Sequence, residues 1–376
     1  MIRLLHYLAA IAALYFFLLA VSNIIWLRLS SRRPRSRNGG KVSVLIPARN
    51  EERNIGRCLD SLLQQTYQDY EILVLDDQST DRTWPILSRY AQDHPDRVQA
   101  VRGKPLPEAC WSGKAHAMHQ LAHLAHGEYL LFTDADTVHS SESISWAVTN
   151  LEWHRVDFIS GYISQELGSF GEALLVPIMY LMTAVIMPIW LIPVTRTPLL
   201  SFAVGQVVMF RRKGYESIGG YASVSGEISD DIHIARQMRK AGFRTIFLDI
   251  RRHVRCRMYH GFHEAFNGLT KNISDFLNHK ILSLVSGSLA VVLCFLLPYG
   301  LLLPYLWIDH PLSVLVAGTV GLFQLTWCLV LYDRGLKWYV PFLYPLLFIF
   351  GLVMMWRGYK KHRSGVGLVW KGRVVR

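Results

Sequence analysis

The chain has 376 residues, 51% of them hydrophobic, and its 40 Lys and Arg outnumber 28 Asp and Glu for a formal net charge of +12. Only 18% of the residues are charged, below the roughly 25% of a soluble domain, which excludes a disordered chain and argues against nucleic acid as the meaning of the basic excess. A membrane protein carrying a folded domain fits.

Residues 4–27 contain no charged side chain and are long enough to cross about 30 Å of hydrocarbon as a helix. The run is long for the apolar core of a signal peptide, and no small-x-small cleavage site follows, so a retained anchor is expected. Arg28, Arg32, Arg33, Arg35, Arg37 and Lys41 follow it against Arg3 before it. That bias places the next region in the cytosol of a multi-pass protein of the cell membrane.

Residues 41–280 have the size of one α/β domain, reached through a short linker, Ser30 to Gly40. Val42-Ser-Val-Leu-Ile46 and Glu71-Ile-Leu-Val-Leu-Asp76 read as strands, with Ile55, Leu59, Leu62 and Leu63 at helical spacing between them. This predicts a β-α-β unit. Tyr129-Leu-Leu-Phe-Thr133 repeats the scheme, so acidic residues gather at the carboxyl ends of strands, where such sheets bind ligands.

Neither G-x-G-x-x-G nor G-x-x-x-x-G-K-[ST] is present, so phosphates are held in another way. Asp134-Ala-Asp136 offers two carboxylates on one turn, a donor set for a hard cation such as Mg2+ or Mn2+ that also binds substrate phosphates. In Asp76-Asp77-Gln-Ser-Thr-Asp81 the first carboxylates suit a base or ribose, and Asp81 reads as a helix cap. Ser229-Asp230-Asp231 opens a helical pattern that stops at Gly242; the pair is either a plain cap or a general base aided by the helix dipole.

Other features read as structural first. His116, His119, His123 and His126 form a stripe taken as a solvated helix face rather than a metal site. Trp111 packs near the membrane or stacks on a sugar. Cys58, Cys110, Cys256, Cys294 and Cys328 contain no C-x-x-C pair, and neither a disulfide framework nor structural zinc is expected.

The uncharged stretch 173–195 is long enough to span. A single crossing there would divide Asp136 from Asp231, and Pro177, Pro188 and Pro193 interrupt it, so an interfacial or re-entrant segment is expected. Runs 281–308, 311–332 and 338–356 are also charge-free, giving a 281–356 region of two to three spans ahead of a basic tail, 357–376. Three crossings would leave that tail outside, against the charge bias. One run is therefore expected to be re-entrant, marked by Pro298 and Pro304 or by Pro341 and Pro345.

Ile46-Pro-Ala-Arg-Asn-Glu-Glu52, Leu75-Asp-Asp-Gln-Ser-Thr-Asp-Arg-Thr83, Gly113-Lys114, Asp134-Ala-Asp136 and Asp230-Asp231 together resemble family 2 glycosyltransferases of the GT-A fold. Arg257-Met-Tyr-His-Gly-Phe262, Gly268-Leu-Thr-Lys-Asn272 and the tail motifs His362-Arg-Ser-Gly-Val366 and Trp370-Lys-Gly-Arg373 look like the membrane-bound branch. That branch holds carotenoid-acid and hopanoid-associated enzymes and, more distantly, ceramide glucosyltransferase.

The resemblance implies that Asp77, Glu51, Asp134 and Lys114 serve the donor, that Asp136 with Asp134 serves the metal, and that Asp231 with Asp230 serves the acceptor hydroxyl. Arg257, Gln206 and Trp111 are further candidates for the diphosphate or the acceptor. Asp230 replaces the commoner Glu. Arg252-His-Val-Arg255-Cys256 lacks the tryptophan of processive relatives, which argues against polymer synthesis.

The expected activity is inverting transfer of a hexose from a nucleotide sugar to a hydroxyl or carboxyl of a hydrophobic lipid acceptor in the bilayer. A polysaccharide or lipid-linked oligosaccharide synthase is the alternative within the fold. A silent scaffold or a transporter subunit is the alternative outside it; the uncharged C-terminal runs speak against the transporter, and the retained carboxylates against the scaffold.

Overall fold

The computed structural model describes residues 2–31, 39–107, 111–227, 229–277, 280–307, 312–364, 368–370 and 373–375. Cys110, the linker arginines 32, 33, 35 and 37, and part of the basic tail lie outside the described residues. The chain divides into two units: residues 27–166 with 189–258, and residues 1–26 with 167–188 and 259–376.

The first unit is α/β. Its strands run in chain order β1 (Val42–Ala48), β2 (Tyr70–Asp76), β3 (Val98–Arg102), β4 (Tyr129–Thr133), β5 (Thr137–His139), β6 (Phe158–Tyr162) and β7 (Ser164–Gln165). Next come β8 (Val207–Arg211), β9 (Thr245–Asp249) and β10 (Val254–Cys256). Seven of them form one sheet in the order β3-β2-β1-β4-β8-β6-β9. β1, β2 and β4 are apolar and buried along nearly their whole length, as expected of strands covered on both faces.

Pairing of β1 with β4 stops at Leu45 opposite Phe132, before Pro47, which has no N–H to give. β1, β2, β3 and β4 are parallel, whereas β8 runs antiparallel beside β4, with Thr133 opposite Val207. That reversal brings the start of β8, and so Gly205 and Gln206, to the edge where β1, β2 and β4 end in acidic loops. A small sheet, β5-β10-β7, continues there and sets Cys256 opposite Thr137.

The second unit is helical. Among the described residues, four helices are long and apolar enough to cross a membrane: Arg3–Ser30, Ile281–Leu302, Ser313–Asp333 and Val340–Arg363. Phe295, Phe323, Trp327, Tyr344 and Phe348 form one aromatic cluster among them, with Phe295 and Phe348 stacked at 4.4 Å. A π-turn over Val291–Leu296 precedes Pro298, and Pro304 lies within Leu297–Trp307. Pro341 and Pro345 instead occupy helix starts, where a missing N–H costs no bond.

The 173–195 stretch forms two short helices, Phe170–Leu175 and Ile178–Ile186, broken at Pro177, then a 3-10 turn at Ile189–Leu191. At 1.5 Å per residue, Ile178–Ile186 spans about 13 Å, less than half a bilayer core. The buried Asn23 amide donates to the carbonyls of Ala184 (3.0 Å) and Met187 (2.8 Å), closing the end of that helix.

Candidate active site

The loops after β1 and β2 are laced together. Asn50 N–H donates to Ser79 Oγ (3.0 Å) and Glu51 N–H to Thr83 Oγ1 (2.8 Å). Asn50 and Gln78 take the left-handed φ values of +52° and +56° that these turns require. Asp77 is buried; its N–H donates to Ala48 O (2.8 Å) and its carbonyl accepts Arg49 Nη1 (2.6 Å). Asp81 accepts from Thr83 N–H (2.9 Å) and Thr83 Oγ1 (2.6 Å), the capping role its position suggested.

The second acidic turn, Asp134 to Asp136, joins β4 to β5 and rests on Gln206. Gln206 O accepts from Thr133 Oγ1 (3.0 Å) and Asp134 N–H (3.3 Å), while Thr137 Oγ1 donates to Asp134 O (2.7 Å). Beneath lies His139, with Nε2 at 3.0 Å from Thr133 Oγ1 and 3.2 Å from Thr137 Oγ1, and Nδ1 at 3.1 Å from Ser143 Oγ. Burial pushes this imidazole down to about 3 from its ordinary 6.5, so it is neutral under the turn.

Between those two values the unfolded chain binds a proton that the folded chain does not, so stability falls as pH drops through this window. The slope is about 1.4 kcal/mol per pH unit. His139→Gln flattens that part of the pH dependence, read as the unfolding midpoint of both proteins between pH 7 and pH 4.

Lys114 stands in the first turn of the helix Gly113–Leu124, which Ser112 caps through Ala115 N–H (3.1 Å). Its Nζ lies 2.6 Å from Asp134 Oδ1 and donates to Gly205 O at 3.5 Å. Gly205 N–H in turn donates to Asp231 Oδ2 (2.7 Å), and Ile232 N–H donates to Asp231 Oδ1 (2.8 Å) at the start of the helix Asp230–Lys240. One backbone residue thus bridges the cation and the second acidic pair.

The charges at this site are unequal in their setting. Burial would lower the Lys114 ammonium, but Asp134, Asp230 and Asp231 outweigh it and hold the ammonium above its ordinary value. Asp231 sits above the ordinary carboxylate value because burial, with help from Asp134, outweighs Lys114 and the two N–H donors. A carboxylate so raised is more basic than one in water. A Cβ on Gly205 would lie 3.1 Å from Asp231 Oδ2. Gly205→Ala therefore displaces that carboxylate, and turnover is expected to drop about 10- to 100-fold with nucleotide affinity retained.

Asp136 lies among the same groups. Burial is the main cause that raises Cys58 to about 12, with Asp136, Glu51 and Asp134 adding to it. Burial followed by Asp136 and Asp134 likewise raises Cys256, whose thiol is hydrogen-bonded to Asp136. Asp136, Asp134 and Glu51 thus all place negative charge near these two thiols. Lys114 takes Asp134 Oδ1, and among the described residues no group of three or more His, Cys, Asp or Glu is arranged to hold a metal ion. One or two carboxylates completed by substrate phosphates and water is the pattern for Mg2+ or Mn2+, and this donor set fits it.

Other candidates fall elsewhere. Gln206 is buried, and its side chain bonds Gln165 (3.0 Å) and Cys256 Sγ (3.3 Å), so it supports the turn from below. Trp111 packs its ring on His116 (5.4 Å) and His119 (5.1 Å) against the core. Arg257 is half-buried just after β10.

The histidine stripe requires a correction: it is not one solvated face. His116 is buried beside Gln120, His119 is half-buried, and only His123 is exposed on the helix. His126 falls beyond the helix end, because the chain there turns so that its N–H meets Glu71 (2.8 Å). Gly205, Thr133, Thr137 and His139 escaped sequence reasoning; the last three adjoin the acidic turn, whereas Gly205 lies far from it in the chain.

Residues 43–219 match the family described as Glycosyl transferase family 2. The chain is 28% identical over 354 residues to a 4,4'-diaponeurosporenoate glycosyltransferase of Staphylococcus aureus (strain MRSA252), a match covering 89% of this chain and 88% of that one. In fold it is similar to the mannosyltransferase PcManGT from Pyrobaculum calidifontis, solved in complex with GDP-Man and Mn2+. The TM-score is 0.58 at 19% identity, covering 96% of this chain and 99% of that chain.

Proposed function

We propose that this chain, whose residues 43–219 match Glycosyl transferase family 2 and whose fold is GT-A-like, is a glycosyltransferase that transfers a hexose from a nucleoside-diphosphate sugar to a lipid acceptor with inversion. The observation that carries this reading is the Lys114, Gly205 and Asp231 relay, which ties a basic carboxylate to the acidic turn after β4. The name of the staphylococcal relative, whose acceptor is a carotenoid acid, supports a hydrophobic acceptor, as do the four apolar helices. The basic residues after the first helix support a catalytic unit on the cytosolic side of the cell membrane.

In this mechanism Asp77 and Glu51 face the nucleoside, and Lys114 and Asp134 orient the donor. Asp231 takes the proton of the acceptor hydroxyl as its oxygen attacks the anomeric carbon. The new C–O bond forms while the bond to the diphosphate breaks on the opposite face, and the leaving group departs with the electron pair. A carboxyl acceptor attacks as its carboxylate and needs no base. When bound, a divalent cation held by Asp136 and the donor phosphates would offset the charge of the leaving diphosphate. Asp230 keeps the start of its helix negative, and in this reading Arg257 would meet the diphosphate.

The test is mass spectrometry of membrane lipids from cells with the active protein, with Asp231→Asn and without the protein. A hexose-shifted lipid that is lost with Asp231→Asn supports the reading for a hydroxyl acceptor, one made by both proteins points to a carboxyl acceptor, and profiles identical to those of cells without the protein remove it. Asp136→Ala is expected to weaken Mn2+-dependent binding of UDP or GDP at least about tenfold, read by calorimetry.

A further inference from the structure

Arg239 ends the helix that Asp231 begins. It is 3% exposed, yet among the described residues it meets no carboxylate. All its N–H groups go to neutral oxygens. Nε donates to Thr197 O (2.9 Å), Nη1 to Ile192 O (2.8 Å) and Thr245 Oγ1 (2.9 Å), and Nη2 to Thr195 O (2.8 Å) and Thr195 Oγ1 (3.0 Å). Burying an unpaired cation is expensive, and here its hydration shell is replaced by three carbonyls and a hydroxyl of one loop and by the Thr245 hydroxyl of β9.

That loop, Ile189 to Ser201, satisfies part of its backbone from within. Ile189 O accepts Ile192 N–H, Leu191 O accepts Thr195 N–H and Oγ1, Thr197 O also accepts Leu200 N–H, and Pro198 O accepts Ser201 Oγ. Pro193 and Pro198 have no N–H to satisfy. Ile189 and Ile192 are buried, but other side chains are turned out: Leu199 is 85% exposed, Val194 70% and Trp190 39%, with Arg196 exposed as well. The carbonyls turned inward need a partner in any solvent, and Arg239 supplies it, but a loop in water gains nothing by displaying Leu, Val and Trp. A loop at the headgroup and acyl boundary gains by burying those side chains there.

We propose that Ile189 to Ser201 inserts into the lipid interface, with Leu199 and Val194 in hydrocarbon, Trp190 and Arg196 at headgroup level, and Arg239 as the positioning residue that replaces water for its backbone. Gly205 follows four residues later and bonds Asp231, so the loop is tied to both ends of the Asp230–Lys240 helix. This deepens the reading of a lipid acceptor and rests on it: the loop would lead the acceptor from the bilayer to the base.

The experiment uses the full chain in phosphatidylcholine and phosphatidylglycerol vesicles, with a nitroxide on Leu199→Cys and, as control, on the exposed Asp93→Cys. Unmodified protein supplies the background from native cysteines. At position 199, collisions with oxygen relative to a water-soluble nickel chelate should exceed the control ratio at least about threefold, as for apolar side chains buried 5–10 Å into a membrane. Water-like accessibility at 199 overturns the proposal, whatever the activity of the protein. Arg239→Gln should move the label towards water; if that variant does not fold, the Leu199→Cys ratio alone decides. Val194→Asp with Leu199→Asp should raise the KM for lipid acceptor while UDP and GDP binding with Mn2+ is unchanged. Equal loss of nucleotide binding counts against an interfacial role. Absence of nucleotide binding in the parent protein removes the donor-site reading and leaves the membrane measurement standing.

Discussion

Asp231→Asn is expected to lower hexose transfer by about 10³-fold while leaving nucleotide binding nearly intact, the size of effect that follows loss of a positioned general base. The side chain keeps its shape, and its one carbonyl oxygen can still accept from either the Gly205 or the Ile232 N–H, at 2.7 and 2.8 Å in the parent, while the other N–H loses its acceptor. Lys114 keeps its partner Asp134 at 2.6 Å, and the donor side of the site is undisturbed. What is lost is a carboxylate that burial holds above its ordinary value and that can accept the acceptor's proton. The measurement is single-turnover transfer with a hydroxyl acceptor alongside calorimetry with UDP or GDP. Wild-type turnover by the variant would remove Asp231 from the base role. A loss of nucleotide affinity in step with turnover would make it a structural residue.

Lys114→Met acts on the donor side and on the pH profile together. Without the ammonium, Asp134 faces the donor diphosphate as an unpaired carboxylate, and kcat/KM is expected to drop about 10²-fold, comparable to removing one electrostatic contact in an enclosed site. The sign of the pH effect follows from the same geometry. Asp231 must be ionised to act, its carboxyl already lies above the ordinary value, and Lys114 is the largest influence pulling it down. Removing Lys114 raises it further, so the acid limb of kcat, along which activity is lost as pH falls, moves to higher pH. Rate profiles of both proteins from pH 4.5 to 8 at saturating donor decide this. An unmoved limb would show that the two groups do not communicate through Gly205, and a limb shifted to lower pH would reverse the assignment of their charges.

Much of the strand framework was legible because its signals are local. The apolar runs at 42–46, 71–76 and 129–133 are strands, and each leads into an acidic loop at its carboxyl end. Asp81 could be read as a cap because a carboxylate two residues before a helix has a near neighbour to bind. The histidine stripe misled for a related reason. Helical spacing tells which residues share a face, but not whether that face is covered, nor that the helix ends at Leu124 before His126.

By itself the sequence determined the apolar helices, the strand and helix periods, and the residue types able to bind a sugar nucleotide, since all of these depend on neighbours within a few residues. Tertiary structure alone decided that Gly205 joins Lys114 to Asp231, that His139 lies neutral under Asp134, and that Arg239 caps the loop Ile189 to Ser201. These contacts depend on the antiparallel insertion of β8 beside β4 and on long-range packing. A carboxylate becomes a base, and an arginine a substitute for water, only through the groups that folding brings against it and the water that folding removes.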